Sequence, residues 1–198
     1  MRQVLIIHGG NSFNTYKSYR QYLEEKEINY DKLLSRTSWK QWLTDELQGC
    51  EVLMPSMPNS LNAVYDEWRV YFEKFLPHLR HDVHLVGHSL GGMFLAKYLN
   101  DHRLEKPVEQ VIFVAPGYDD DSNEELGSFR VDSAQGVAAN TKQVHLFHSV
   151  DDPVVPFTEL EKFRRDLPKA LVHTFKDRGH FFDVTPTFPE LLDLLKQK

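Results

Sequence analysis

A doubly wound α/β domain, in which helices cover both faces of a mostly parallel six-stranded sheet, is the fold class predicted for this chain of 198 residues. Six short apolar runs, at 3–7, 51–54, 83–87, 110–115, 143–148 and 170–175, are each bounded by Gly, Pro, Asp or Asn, as strands between turns are. Runs such as Val4-Leu5-Ile6-Ile7 and Val111-Ile112-Phe113-Val114 are apolar without alternation, which implies burial on both faces and hence a parallel sheet between helices. Helical periodicity occupies several of the intervals, and strand–helix alternation is what a doubly wound sheet requires.

In chain order, the strand at 3–7 is followed by Phe13 to Arg36, where Phe13, Tyr16, Tyr19, Tyr22, Leu23, Ile28 and Tyr30 lie among charges. This amphipathic stretch has no partner strand before the helix expected at Trp39 to Leu47, so it reads as an insertion. Between the runs at 51–54 and 83–87, Leu61, Val64, Trp68, Phe72 and Phe75 recur at spacings of three and four. They predict a helix from Ser60 to Leu76, with Asn59 as N-cap and Pro77 as its stop. Gly91 to Asn100 predicts the next helix. After the strand at 110–115, Gly117 to Asn140 carries Asp119-Asp120-Asp121 and then Ser, Asn, Gly and Ala, and is expected to be a long surface loop. Helices at Phe157 to Asp166 and Pro189 to Lys196 flank the last strand.

A hydrophobic content of 41% over this length suffices for one core, so residues 1–198 are expected to form a single domain. Lys plus Arg number 23 against 29 Asp plus Glu. An acidic field repels phosphate backbones and anionic lipid, so neither nucleic acid nor a membrane is an expected partner. The first strand leaves no room ahead of it for a secretory signal, and no apolar run reaches the ~20 residues of a membrane span. The single cysteine, Cys50, rules out an internal disulfide and reads as a plain buried thiol at a strand edge. A cytoplasmic monomer or small homo-oligomer is expected.

The informative string is Val86-Gly87-His88-Ser89-Leu90-Gly91-Gly92-Met93, a G-x-S-x-G placed directly after a buried strand and before an apolar helix. In such an elbow the serine sits in a strained turn that projects its hydroxyl, and the flanking glycines let strand and helix approach. The backbone N–H of Leu90, at the helix start, points to where negative charge develops on an attacked carbonyl. A second donor is expected from the turn His8-Gly9-Gly10-Asn11, with Gly10 favoured and Asn11 in reserve. A serine hydroxyl needs a histidine base, and that base needs a carboxylate to fix its tautomer. After the fifth strand comes Asp151-Asp152-Pro153-Val154-Val155-Pro156, and after the sixth comes Gly179-His180-Phe181. Both follow the carboxyl ends of strands, where ligand chemistry gathers in open α/β sheets. Ser89, Asp152 and His180 are therefore the expected catalytic group. Asp151 remains a rival acid, although the Pro-Val-Val-Pro turn favours Asp152, and Asp183 lies too near His180 in sequence. His8, His84, His88, His145, His148 and His173 lie in or beside strands, where hydrogen-bonded structural histidines are the default.

Val4-Leu5-Ile6-Ile7-His8-Gly9, Met57-Pro58-Asn59 with Trp68 downstream, the elbow, the Asp151–Pro156 string and Gly179-His180-Phe181 together resemble a known group. It is the minimal α/β-hydrolase family that includes retinoblastoma-binding protein nine and its bacterial relatives. The resemblance covers most of the chain. It implies a six-stranded Rossmann-like core without a large cap domain, serine hydrolase activity and a triad on Ser89, Asp152 and His180. The family pattern runs quickly from the first strand to a helix bearing two tryptophan-like positions, here Trp39 and Trp42, whereas this chain inserts Ser12 to Thr37. Leaving from the oxyanion turn, the insert is expected either to form a lid over the site or to pack as an extra helix away from substrate. Asn11, Phe13, Tyr16 and His88 are the candidate pocket or lid residues.

The expected reaction is hydrolysis of a carboxylic ester on a small-molecule acyl substrate through an acyl-serine intermediate. The same parts serve a thioester, an amide or acyl transfer to another acceptor. The alternative of a different class is a non-catalytic module that binds a protein partner on a hydrolase scaffold. No metal or other cofactor is expected. The acidic run from Asp119 has Glu124 and Arg130 where a calcium loop needs glycine and glutamate. His78, His81 and His84 do not share one helical face, and Gly9-Gly10 is too little for a dinucleotide fingerprint.

Overall fold

A computed structural model describes residues 2–34, 38–119, 125–182 and 186–197. Strands β1 (Arg2–Ile7), β2 (Cys50–Leu53), β3 (His84–His88), β4 (Val108–Val114), β5 (Thr141–Ser149) and β6 (Leu171–Phe175) form one sheet in the order β2-β1-β3-β4-β5-β6. Every neighbouring pair is parallel. Helices α1 (Tyr16–Glu25), α2 (Tyr30–Leu33), α3 (Trp39–Glu46), α4 (Tyr65–Glu73), α5 (Leu90–Asp101), α6 (Thr158–Asp166) and α7 (Pro189–Lys196) complete the chain. None of the described helices is long and apolar enough to cross a membrane.

The period of two along each strand sends alternate residues to opposite faces. Leu5, Ile7, Leu85, Val111, Phe113 and Leu146 join Trp68 and Phe72 of α4, Phe94 of α5 and Phe163 of α6 in one core. Val4, Ile6, Val86, Ile112 and Phe147 join Trp39 and Leu43 of α3 and Leu191 of α7 in the other. Those two cores are the three-layer sandwich. Continuous apolar runs hold for the central strands, whereas edge strand β6 leaves Leu171 and Val172 partly exposed. Cys50, on edge strand β2, is only half-buried.

Two further expectations need correction. The helix predicted from Ser60 starts only at Tyr65, and Asn59 has φ +48 rather than an N-cap conformation. Residues 59–63 are held as a turn instead, because Ser60 O accepts the N–H of Asn11 and Ala63 donates back to Asn11 O, each at 2.8 Å. The second concerns Gly117 to Asn140, which is not a surface loop over its described part. Tyr118, Phe129, Val131, Ala134 and Val137 are all buried in the α4/α5 core, and two short 3-10 turns, Gly127–Phe129 and Gln135–Ala139, carry the backbone between them. Polar anchors hold the segment down. Glu159 accepts the N–H groups of Tyr118 (2.5 Å) and Asp119 (3.0 Å), and Asp166 accepts from Tyr118 Oη (2.5 Å) and Ala134 N (2.8 Å).

Candidate active site

β1 is followed in the chain by β2 on one side and β3 on the other, so the carboxyl ends of β1 and β3 flank the point where strand order reverses. Crevices form there in open α/β sheets. The turn after β1, Gly9 and Gly10, and the turn after β3, at Ser89, meet in that crevice. A Cβ placed on Gly9 would lie 3.1 Å from Ser89 Cβ, so the two turns touch.

Ser89 adopts φ 54 and ψ −122, a region that costs a non-glycine residue on the order of 1–3 kcal/mol. The surroundings hold it there. Its N–H donates to Val114 O on β4 at 2.9 Å, and its carbonyl accepts from Gly92 and Met93 at the start of α5. At Gly91 a Cβ would lie 2.4 Å from Ile7 O, so only glycine lets α5 pass so close to β1.

Ser89 Oγ lies 2.8 Å from His180 Nε2, and His180 Nδ1 lies 2.8 Å from Asp152 Oδ2. The side chains of His180 and Asp152 are 2% and 0% exposed. A carboxylate accepts, so Nδ1 carries the imidazole proton and Nε2 is left to accept from the serine hydroxyl. Asp152 Oδ1 also accepts from the N–H groups of Val154 (2.8 Å) and Val155 (2.9 Å). This is the stiff turn that Pro153 and Pro156 bracket.

Asp151 has a different place. Its Oδ1 accepts from Ser149 Oγ (2.5 Å) and from Gly179 N (3.0 Å), while Ser149 Oγ accepts from Arg178 N (3.0 Å). The Ser149 hydroxyl first, and then the backbone N–H groups, hold its carboxyl below the usual range. Asp151 thus ties the Asp152 loop to the His180 loop, a link between positions 28 apart that no local pattern displays. Behind Asp152, His148 is fully buried and donates from Nε2 to Val155 O at 3.1 Å, and burial holds its basicity below the usual range.

The oxyanion candidates are also separated. Asn11 N–H is committed to Ser60 O. Gly10 lines a small cavity with Ser89 and Leu90, of about 20 Å³, whose walls include Met93, Leu126 and Val155. A Cβ at Gly10 would lie 2.5 Å from Ser60 O and 3.4 Å from Leu90 Cδ2.

Of the other pocket candidates, His88 is 0% exposed and lies behind His180, away from the cavity. Phe13 packs on Tyr19 and Tyr22 of α1, with centroids 5.4 and 5.1 Å away, and Tyr16 is 74% exposed. None of the three lines the cavity. The contact between insert and site is instead polar. Glu125, at the cavity wall, accepts from Asn14 N (2.7 Å) and Ser18 Oγ (3.1 Å). Ser18 is also the third residue of α1, where it completes a capping box with Thr15. Residues 35–37 of the insert, Asp120, Asp121 and Glu124 of the acidic run, and Asp183 lie outside the described residues.

The Met57-Pro58-Asn59 string packs where the two crevice turns meet. His8 Nε2 accepts from Met57 N at 2.8 Å, and Trp68 Nε1 donates to Pro58 O at 2.7 Å. His8 and Trp68 stack edge to face at 5.7 Å. Among the described residues no cluster of three or more His, Cys, Asp or Glu has a metal-holding arrangement.

A family model described as serine hydrolase matches residues 34–191. The serine hydrolase RBBP9 of Rattus norvegicus is 28% identical over 165 residues, covering 80% of this chain and 84% of that protein. YdeN of Bacillus subtilis is 26% identical over 193 residues, covering 92% of this chain and 87% of that protein. The crystal structure of the B. subtilis ydeN product superposes with a TM-score of 0.79 at 23% identity, over 98% of this chain and 97% of that one.

Proposed function

This chain belongs to the serine hydrolase family, and from that premise we propose that it cleaves carboxylic esters of short acyl groups through an acyl-serine intermediate. The hydrogen-bonded line Ser89 Oγ–His180 Nε2, His180 Nδ1–Asp152 Oδ2 is the observation that carries the proposal. Ser89 Oγ attacks the acyl carbonyl as His180 takes its proton, and Asp152 holds the resulting imidazolium. The oxyanion is met by the N–H groups of Leu90 and Gly10. His180 then passes the proton to the departing alkoxide, and the alcohol leaves. In the second half, water gives a proton to His180 and attacks the acyl carbonyl. Ser89 departs with that proton, and the acid is released.

The proposal of a short acyl group rests on the cavity. A volume of about 20 Å³ holds roughly one water molecule, so the described conformation has room beside Ser89 for about one methyl group, the apolar end of an acetyl, and for little more. Thioesters and amides would use the same parts. A series of p-nitrophenyl esters from acetate to octanoate, with matched thioester and anilide substrates, tests both points. A burst of nitrophenol equal to the enzyme concentration and a rate falling with acyl length are expected. Turnover that survives Ser89→Ala, or an optimum at octanoate, would overturn the chemistry or the size assignment respectively.

A further inference from the structure

A second polar array lies behind His180 on the α3/α7 face, and no step of acyl transfer through Ser89 uses it. His88 Nε2 is 3.0 Å from the carbonyl oxygen of His180, and His88 Nδ1 is 3.2 Å from Lys40 Nζ. A carbonyl can only accept and an ammonium only donate, so the His88 ring is fixed as the tautomer protonated at Nε2. Burial and then the Lys40 cation hold its basicity well below the usual range, and the ring stays neutral. Lys40 is itself enclosed, 4.7 Å over the Trp39 ring and 6.0 Å from that of Phe182, and burial lowers its pKa to about 8. Phe182 closes the array, with its ring 4.9 Å from both His88 and His180.

We infer that Lys40 and His88 are positioning residues for the base: Lys40 selects the His88 tautomer, and His88 holds the His180 carbonyl so that its imidazole stays on line with Ser89 Oγ. This rests on the hydrolase reading above. The segment bearing His180 belongs to no helix or strand, so few bonds set its position. Gly179 N–H reaches Asp151 at 3.0 Å, and Trp39 Nε1 reaches Phe181 O at 2.8 Å. The His88 bond falls between those two, on the catalytic residue itself. His88 also directly precedes Ser89 at the end of β3, so one residue anchors both the nucleophile's backbone and the base's.

The test compares His88→Gln, His88→Leu and Lys40→Met with wild type. The glutamine amide can donate from about where Nε2–H stands, and this variant is expected to keep kcat within about threefold. Leucine fills the space without a donor. A misplacement of about 1 Å can cost ~10²-fold, so His88→Leu is expected to lose roughly 30- to 100-fold in kcat with KM little changed. Lys40→Met leaves Nδ1 buried without a donor and is expected to lose roughly tenfold. In wild type, 15N spectra of the His88 ring are expected to show a slowly exchanging Nε2 proton and an unprotonated Nδ1.

A folded His88→Leu with wild-type kcat, or a glutamine variant as impaired as the leucine one, overturns the brace. So does a His88 protonated at Nδ1. The NMR measurement needs no turnover, so a ring protonated at Nδ1 overturns the brace even if the leucine variant does not fold. Failure of the hydrolase reading shows separately, as wild-type protein inert toward both esters and a fluorophosphonate.

Discussion

Replacing Asp152 with Asn changes one atom's chemistry and leaves the shape almost untouched, and the surrounding bonds dictate how the new amide must sit. Oδ1 of Asp152 accepts from two backbone N–H groups, of Val154 and Val155, at 2.8 and 2.9 Å. An NH2 group there would face two donors, so the amide oxygen keeps that place and the NH2 takes the position of Oδ2. It then points at His180 Nδ1, 2.8 Å away, and can only donate. Nδ1 must become the acceptor, the ring proton moves to Nε2, and Nε2 presents N–H to Ser89 Oγ where a lone pair is needed. By analogy with other triads, the wrong tautomer costs on the order of 10⁴ in kcat, or about 5 kcal/mol of activation free energy. The assay is kcat for p-nitrophenyl acetate near neutral pH, with circular dichroism to establish that the fold is kept. An Asp152→Asn protein within tenfold of wild type would refute the assignment of the acid. A comparable loss in Asp151→Asn, with Asp152→Asn little affected, would move that role to Asp151.

Other outcomes are expected. Gly91→Ala would force a methyl to within 2.4 Å of Ile7 O; overpacking of this kind costs about 1–3 kcal/mol, to be read as a lower urea midpoint, and an unchanged midpoint would contradict the close approach of α5 to β1. Burial and then the neighbouring His173 lower the pKa of His145 to about 4, below the roughly 6.5 of an unfolded chain. The fold therefore prefers the neutral ring, and its stability is whole above pH 6.5 and falls as the pH drops toward 4, where the unfolded state binds the extra proton. His145→Gln should flatten that part of the stability profile, and an equally steep profile would remove His145 as the cause. Glu125→Ala removes the acceptor of Asn14 N and Ser18 Oγ, so the start of α1 should loosen from the cavity wall. The rate ratio of butyrate to acetate ester should then rise, and an unchanged ratio would show that the insert does not limit acyl size.

The strands and most helices were legible because their signals are local. Continuous apolar runs and turn boundaries locate the strands to within a residue or two, and α7 begins at Pro189 as a proline at the first helical position suggests. The helix start near Ser60 was misread because Leu61 and Val64 continue the apolar period of α4 although both are exposed. The backbone there bonds across to Asn11, a tertiary preference that overrides periodicity. Gly117 to Asn140 looked like a surface loop because its buried residues follow no regular period, so their apolar signal is diluted among Asp, Ser and Asn.

For the site, Ser89, Asp152 and His180 were nameable because each occupies a turn after a strand, in an order that strand topology makes convergent. Lys40 was not, since nothing in a helix beginning Trp39-Lys40 announces contact with a histidine 48 residues away. His88 carried only the hint of standing next to Ser89. Strand alternation, which turns it onto the α3/α7 face opposite the cavity, could have argued against a pocket role. The Asp151 link was likewise invisible: a pair of adjacent carboxylates invites a choice between them, whereas the fold uses both, for different bonds.

The most direct measurement is intact-mass and peptide analysis of the protein after reaction with a fluorophosphonate. One adduct per chain is expected, on the peptide containing Ser89, with labelling lost in Ser89→Ala and strongly slowed in His180→Ala. No adduct on the wild-type protein, or an adduct on a different residue, would contradict the assignment of Ser89 as the activated nucleophile.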